Sequence, residues 1–355
     1  MRIVYVVGTR PNFVKMAPVI AALRRRLPDG RHAIVHTGQH YDRLMSEIFL
    51  DELGVPPPDH MLGVGSGSHG EQTARVIERL EPVLGIESPD LVLVPGDVNS
   101  TLAAALTAAK MEVRLGHVES GLRSFDRSMP EEINRVVTDQ LSDLLFLHSE
   151  DAEENLRREG VPDERMHFVG NTMIDTLVSL EDRFRSAGAT RRLGLEPGRY
   201  LLVTLHRPAL VDGPLLADAM RSLAEVAQEL PVVFPVHPRT RKMLGRGDEH
   251  TGVTLTDPVG YLDFLSLEAD AAAVLTDSGG IQEEATYLGI PCFTLRANTE
   301  RPVTVRAGTN TVLGLDPARI TEIPERLAGD AGERPDAPPL WDGRASERVA
   351  DVIAG

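Results

Sequence analysis

Short apolar runs alternate along most of the chain with longer stretches whose apolar positions recur every three or four residues. Ile3–Val7, Ala33–His36, Leu91–Val94, Leu115–Val118, Leu144–Leu147 and Met166–Val169 predict buried strands. Between them, Asn12–Arg26, Tyr41–Leu53, Glu71–Leu84, Ser100–Lys110, Glu131–Leu141 and Glu150–Gly160 predict amphipathic helices. Strands that are apolar on both faces and alternate with helices build a parallel sheet covered on both sides.

The pattern then restarts. Thr172–Arg185 reads as one helix and Ala187–Arg199 as a linker. A second series of strands follows near Tyr200–Leu205, Val232–Val236, Val253–Thr256, Ala272–Leu275 and Cys292–Leu295. Helices are expected at Leu215–Leu230, Tyr261–Ala269 and Gly280–Leu288, a loop at Ala328–Pro339, and a last helix at Ala345–Ala354. The expectation is an α/β protein of two doubly wound domains, 1–171 and 172–339, with residues 340–355 rejoining the first. Ligands of such sheets bind outside the carboxyl ends of the strands, so a cleft between the domains is the expected site, with hinges at Gly170–Thr172 and Ala187–Arg199.

Composition narrows the function. Among 355 residues, Lys+Arg 37 against Asp+Glu 53 gives 37 − 53 = −16, a field that disfavours nucleic acid and anionic membranes as partners. A local cationic pocket still permits a small anionic substrate. The single cysteine, Cys292, lies in an apolar run and reads as a buried inert thiol. Only five consecutive apolar residues precede Gly8, too few for a signal peptide, and no stretch approaches the roughly 20 apolar residues of a membrane span. A soluble, cytoplasmic protein is expected.

No strand leads into G-x-G-x-x-G, and neither G-x-x-x-x-G-K-[ST], H-E-x-x-H nor Asp-x-Asp occurs. Neither a cofactor nor a metal is expected. The remaining chemistry sits at strand ends. Gly8-Thr9-Arg10-Pro11 with Lys15 combines a turn, a helix N-terminus and two cations, which suits an anion, though a plain surface turn would look the same. Asp97 follows the third strand, where it also fits a helix cap. Glu119 ends the fourth, where a carboxylate is costly unless paired or catalytic. Glu131 and Glu132 open a helix, which the dipole alone would favour. Thr276-Asp277-Ser278-Gly279-Gly280 runs from strand to helix and can hold a diphosphate, with Glu284 one turn on for ribose hydroxyls.

In order, these motifs resemble the non-hydrolysing UDP-N-acetylglucosamine 2-epimerases, which adopt the two-domain GT-B fold of Rossmann-like domains. The resemblance runs from Arg2 to about Leu313. It is carried by Gly8-Thr9-Arg10-Pro11, Lys15-Met16-Ala17-Pro18, Thr37-Gly38-Gln39-His40, Gly96-Asp97 and His117-Val118-Glu119-Ser120-Gly121-Leu122-Arg123. Pro130-Glu131-Glu132 with Asn134-Arg135, Gly170-Asn171-Thr172, His206-Arg207, Asp277–Ala285, Arg296 and Thr299-Glu300-Arg301-Pro302 complete it. It implies Asp97, Glu119 and Glu131 as catalytic carboxylates, assisted by Lys15 and His206. Arg10, Ser278, Gly279, Gly280 and Arg301 would hold the UDP diphosphate and Glu284 the ribose. Gln39, Arg75 and His237 fit a second, activating UDP-sugar site, although Asp42 stands where glutamine is common. The implied partners are a UDP-sugar and a second copy of the chain in a homodimer.

The implied reaction inverts C2 of UDP-GlcNAc through anti elimination of UDP, a 2-acetamidoglucal and re-addition. Departures are Asn12 in place of a commoner Glu, Pro208-Ala209-Leu210 where a Glu-Asn pair is usual after His206-Arg207, and Val303 after Pro302. They loosen the identity of the nucleotide and the sugar. A glycosyltransferase on the same scaffold would instead need an acceptor, and a nucleotide-sugar sensor would bind without turnover.

Overall fold

The first apolar run becomes β1 (Arg2–Val7), with every residue after Arg2 buried. The computed structural model describes residues 1–38, 49–244, 252–329 and 336–355. Within them the chain divides into two units, residues 1–179 with 339–355 and residues 180–338.

In the first unit β1 is joined by β2 (Arg31–His36), β3 (His60–Met61), β4 (Leu91–Pro95), β5 (Arg114–Ser120), β6 (Leu144–Leu147) and β7 (Met166–Phe168). All pairings are parallel, in the order β3-β2-β1-β4-β5-β6-β7. Chain order reverses between β1 and β4, which leaves a crevice beyond their carboxyl ends. On one face Val4, Val6, Val92 and Val94 pack with Leu80 and Leu84 of the helix His69–Glu87 and Ala104 of the helix Asn99–Lys110. The apolar alternation of strand and helix thus closes into a sandwich because each element has a face to bury.

The second unit repeats the scheme with β8 (Leu201–Thr204), β9 (Val232–Pro235), β10 (Val253–Thr256), β11 (Ala273–Thr276), β12 (Cys292–Thr294) and β13 (Asn310–Val312). Its order is β10-β9-β8-β11-β12-β13, again parallel, with the reversal between β8 and β11. Cys292 is fully buried in β12, and burial pushes its thiol well above the ordinary range.

The sequence reading needs four corrections. Thr172–Arg185 is not one helix: it breaks at Leu180 into Thr172–Ser179 and Glu181–Ala187. The first unit therefore reaches Ser179 and does not end at 171. The reason is local bonding: Thr176 Oγ1 donates to Val14 O (2.6 Å), and Asp175 accepts from Ala345 N (3.0 Å) and Ser346 N (2.6 Å), capping the helix Ala345–Ala354. Ala187–Arg199 is not a free linker either. It carries the short helix Ala189–Arg192, buries Ala189, and anchors Thr190 Oγ1 on Asp270 Oδ2 (2.7 Å). Finally, β3 and β13 went unread because neither His60–Met61 nor Asn310–Val312 carries an apolar run. Most of the expected helix Tyr41–Leu53 lies outside the described residues.

Candidate active site

At the reversal of the first sheet, β1 passes through Gly8 and Thr9 into the helix Arg10–Arg26. Asn12 Oδ1 accepts from Gly8 N (3.0 Å) and Thr9 N (3.2 Å), while its Nδ2 donates to Pro95 O (3.4 Å). One side chain so ties the ends of β1 and β4. Gly8 has no substitute here, since a Cβ would lie 2.5 Å from Ser100 Oγ. One turn further, Lys15 is buried and ion-paired with Glu119. Arg10 is exposed and makes no hydrogen bond or ion pair among the described residues.

Glu119 sits where β5 slips its register against β6, between Val118 and Ser120, and it adopts φ 67°. A left-handed non-glycine residue at a bulge costs on the order of 1–3 kcal/mol and re-aims its side chain. The turn after β4 passes directly beside this group: a Cβ on Gly96 would stand 3.1 Å from Lys15 Nζ and 3.7 Å from Glu119 Oε2.

Asp97 follows in the same turn and is ion-paired with Arg135 from the helix Pro130–Leu141. Arg135 Nη2 also donates to Glu132 Oε2 (3.0 Å), and Asn134 Nδ2 donates to Asp97 O (2.8 Å). Glu132 accepts in turn from Ser124 N (2.8 Å), Ser124 Oγ (2.9 Å) and Phe125 N (2.9 Å). Burial raises its carboxyl, but the Ser124 N–H and the Arg135 guanidinium outweigh that and hold it below the usual range. Glu132 is thus committed to structure. Glu131, its neighbour in the first turn, has no partner among the described residues and one helix turn separates it from Arg135.

The second unit presents a different chemistry at its own reversal. Asp277 follows β11 and accepts from His206 N (2.9 Å) and Arg207 N (2.7 Å), binding the end of β8 to that of β11. His206 Nδ1 lies 3.1 Å from Asp277 Oδ1, which leaves Nε2 for a ligand. Despite burial, these contacts with His206 and Arg207 keep the Asp277 carboxyl below its ordinary range. Ser278 caps the helix Gly279–Leu288 with its backbone, and its hydroxyl makes no capping bond. Gly280 is the second residue of that helix.

Gly279 lies against the Arg301 guanidinium, where a Cβ would stand 2.4 Å from Nη1. Arg301 is oriented by Glu283 (3.0 Å), and Arg296 by a two-point contact with Glu300 (2.7 and 2.8 Å). Burial first, then the charges of Arg296 and Arg301, push the Arg207 guanidinium below its ordinary range. Three guanidiniums beside free N–H groups of a helix start form a seat for a polyanion. Glu284 is buried one turn into the helix and accepts from Tyr261 Oη (2.7 Å). Desolvation and the nearby Glu283 charge raise its carboxyl to about 7 against the lowering effect of Tyr261.

The structure brings Lys15, Asp97 and Glu119 together and puts Glu131 on the helix that holds Asp97. In the second unit it groups His206, Ser278, Gly279, Gly280, Glu284 and Arg301. Of the three residues read as a second site, two are described, one in each unit. Gln39 lies outside the described residues. Arg75 Nη1 donates to Ser66 O (3.1 Å) and Val64 O (3.4 Å), bracing a loop of the first unit. His237, in the second unit, is exposed and 6.0 Å from the His206 ring.

The site residues that went unassigned are Arg135, Asp139, Arg207 and Arg296. For the first two a signal existed: charged residues four apart on the inward stripe of an otherwise amphipathic helix demand buried partners.

These features match known proteins. A sequence profile of the family described as UDP-N-acetylglucosamine 2-epimerase covers residues 22–354. The UDP-N-acetylglucosamine 2-epimerase of Methanococcus maripaludis is 40% identical over 99% of this chain and 97% of its own length. The UDP-2,3-diacetamido-2,3-dideoxy-D-glucuronate 2-epimerase of Pseudomonas aeruginosa is 41% identical over 100% of this chain and 99% of its own. The crystal structure of the Methanocaldococcus jannaschii UDP-GlcNAc 2-epimerase, in complex with UDP-GlcNAc and UDP, superposes with a TM-score of 0.89 at 39% identity, covering 99% of both chains. The two Rossmann-like units are those of the GT-B fold, and the chain belongs to the UDP-N-acetylglucosamine 2-epimerase family.

Proposed function

We propose that the protein inverts C2 of UDP-N-acetylglucosamine to give UDP-N-acetylmannosamine. The observation that carries this reading is the Lys15–Glu119 pair beside the Asp97 turn, at the reversal of the first sheet. An anion seat at the reversal of the second sheet complements it.

The C2 hydrogen of the sugar is not acidic, so a base alone achieves little. Departure of UDP makes the step feasible: a carboxylate takes the C2 proton, C1=C2 forms, and the C1–O electron pair leaves on the UDP diphosphate. Arg10, Arg301, His206, Ser278 and the N–H groups of Gly279 and Gly280 stabilise that developing charge. Return of a proton to the opposite face of C2 and re-attack of UDP at C1 give the epimer. Two faces require two acid–base groups, drawn from Asp97, Glu119 and Glu131. The ion-pair partners of two of them differ, Arg135 for Asp97 and Lys15 for Glu119, and Glu131 has none among the described residues. That asymmetry suits unequal roles. Glu284 takes the ribose.

The test is incubation with UDP-GlcNAc in heavy water. Deuterium at C2 and a manno product are expected; neither appearing rejects the reading. A second reading keeps the reaction and changes the sugar. It is favoured by the Pseudomonas aeruginosa relative, named for a diacetamido uronate, and by Pro208-Ala209 after His206-Arg207. A panel of UDP-sugars in the same assay separates the two.

The proposal extends to a cytoplasmic homodimer. No helix of the described residues is long and apolar enough to cross a membrane. Ile77, Leu102 and exposed Ile133 line an apolar groove of the first unit that a second copy would cover. Light scattering gives the mass in solution, and a monomer would reject the dimer.

A further inference from the structure

Glu119 is flanked, two residues away on each side, by groups that converge on one buried carboxylate. His117 Nδ1 lies 2.7 Å from Asp139 Oδ1, and Gly121 N donates to Asp139 Oδ2 (3.1 Å). Arg123 Nη2 contacts the same Oδ2 (2.8 Å) and is itself gripped by both oxygens of Glu159 (2.7 Å each). His117 and Asp139 are fully buried. On its other side, His117 Nε2 reaches Gly96 O (2.7 Å), and Gly96 N donates to Val118 O (3.0 Å).

We propose that Asp139 and His117 form a positioning tether that sets Asp97 and Glu119 relative to each other. Asp139 clamps the backbone before and after the strained Glu119 bulge, and through His117 the same clamp holds the carbonyl of the turn that carries Asp97. Every group facing Asp139 is a donor, so its carboxylate is ionised, and the charges of His117 and Arg123 hold it below the ordinary range against burial. A carboxylate and a carbonyl only accept, so His117 is held between two acceptors, one on each side of its ring.

A buried charged set of this kind adds little net stability compared with apolar packing. Its geometric product is what distinguishes it. The bulge and the turn come from different strands, and each alone has the freedom of a strand end. A displacement of about 1 Å in a catalytic group costs about a hundredfold in rate.

The inference rests on the epimerase reading, and its test separates the two. His117→Asn keeps an N–H near Nδ1 for Asp139 and loses Gly96 O, whereas His117→Gln keeps a donor near Nε2 for Gly96 O and loses Asp139. In C2 deuterium exchange with UDP-GlcNAc, His117→Asn is expected to lower kcat by about a hundredfold. KM should stay within about threefold, UDP affinity should be unchanged, and His117→Gln should retain more activity than His117→Asn. A folded His117→Asn protein with wild-type kcat overturns the tether, as does a parallel change in kcat and KM.

The wild-type protein supplies an arm that needs no variant and no turnover. With nitrogen-15 in its imidazoles, the His117 ring should show an N–H proton shielded from exchange with water by its hydrogen bond to Asp139. A ring whose N–H protons all exchange freely overturns the tether even if the variants fail to fold. Absence of exchange in the wild-type protein on every UDP-sugar would sink the epimerase reading and leave the ring measurement standing.

Discussion

Lys15 and Glu119 form an ion pair in which the two side chains are only 9% and 7% exposed. One comes from the first helix, the other from the bulge in β5. Removing a single partner of a buried pair leaves an uncompensated charge, at a cost of about 3–5 kcal/mol. Lys15→Met should therefore lower unfolding stability in urea by about that amount, and adding Glu119→Gln should restore part of it. Additive losses in the double variant would show that the pair is not coupled. Both variants should be inactive.

Asp97→Asn tests the turn after β4. Asp97 is a quarter exposed, and Arg135 keeps its contact with Glu132, so stability should change by less than about 1 kcal/mol. The rate of C2 exchange should fall by about 10²–10⁴-fold if the carboxylate moves a proton. A retained rate would remove Asp97 from the chemistry.

Gly279→Ala tests the anion seat. The added methyl collides with the Arg301 guanidinium, which Glu283 and Glu300 prevent from simply swinging aside. UDP should bind at least about tenfold more weakly by calorimetry, a loss of ~1.4 kcal/mol, with helix content by circular dichroism preserved. Unchanged affinity would place the diphosphate elsewhere.

Glu284 predicts a pH dependence. Its carboxyl, raised to about 7 by burial, must ionise to accept ribose hydroxyls. Affinity for UDP-GlcNAc should rise as pH climbs through about 7 and level off above it; the diphosphate diester does not titrate there. Glu284→Gln should flatten the curve. In the unliganded protein the sign is opposite. The folded state holds this proton more tightly than the unfolded one, so its stabilising contribution is full below about 4.5 and is lost as pH rises through about 7. Binding calorimetry and urea unfolding, each repeated between pH 5.5 and 8.5, measure the two in turn.

Much of this site was legible before folding. Gly8, Gly96 and the Ser278-Gly279-Gly280 run stand where apolar strands stop, and the physics of a parallel sheet places ligands there. Asp97, Glu119 and Lys15 were candidates because charge at the edge of an apolar run needs a reason. What escaped is pairing. Nothing local says that Arg135 belongs to Asp97, that Asp139 spans His117 and Gly121, or that Arg207 stands near Arg296 and Arg301. Each of these contacts joins different elements of the chain, and none leaves a period.

By itself, then, the chain's pattern determined two α/β units, the strand ends that bear polar residues, and the character of the chemistry. These follow from burial and backbone conformation, which act over a few residues. Tertiary structure alone decided where one unit ends, which glutamate of the Glu131–Glu132 pair is spent on Ser124 and Arg135, and how a bulge aims Glu119 at Lys15. Those outcomes depend on which buried donor meets which acceptor, and that is settled only when the strands take their order in the sheet.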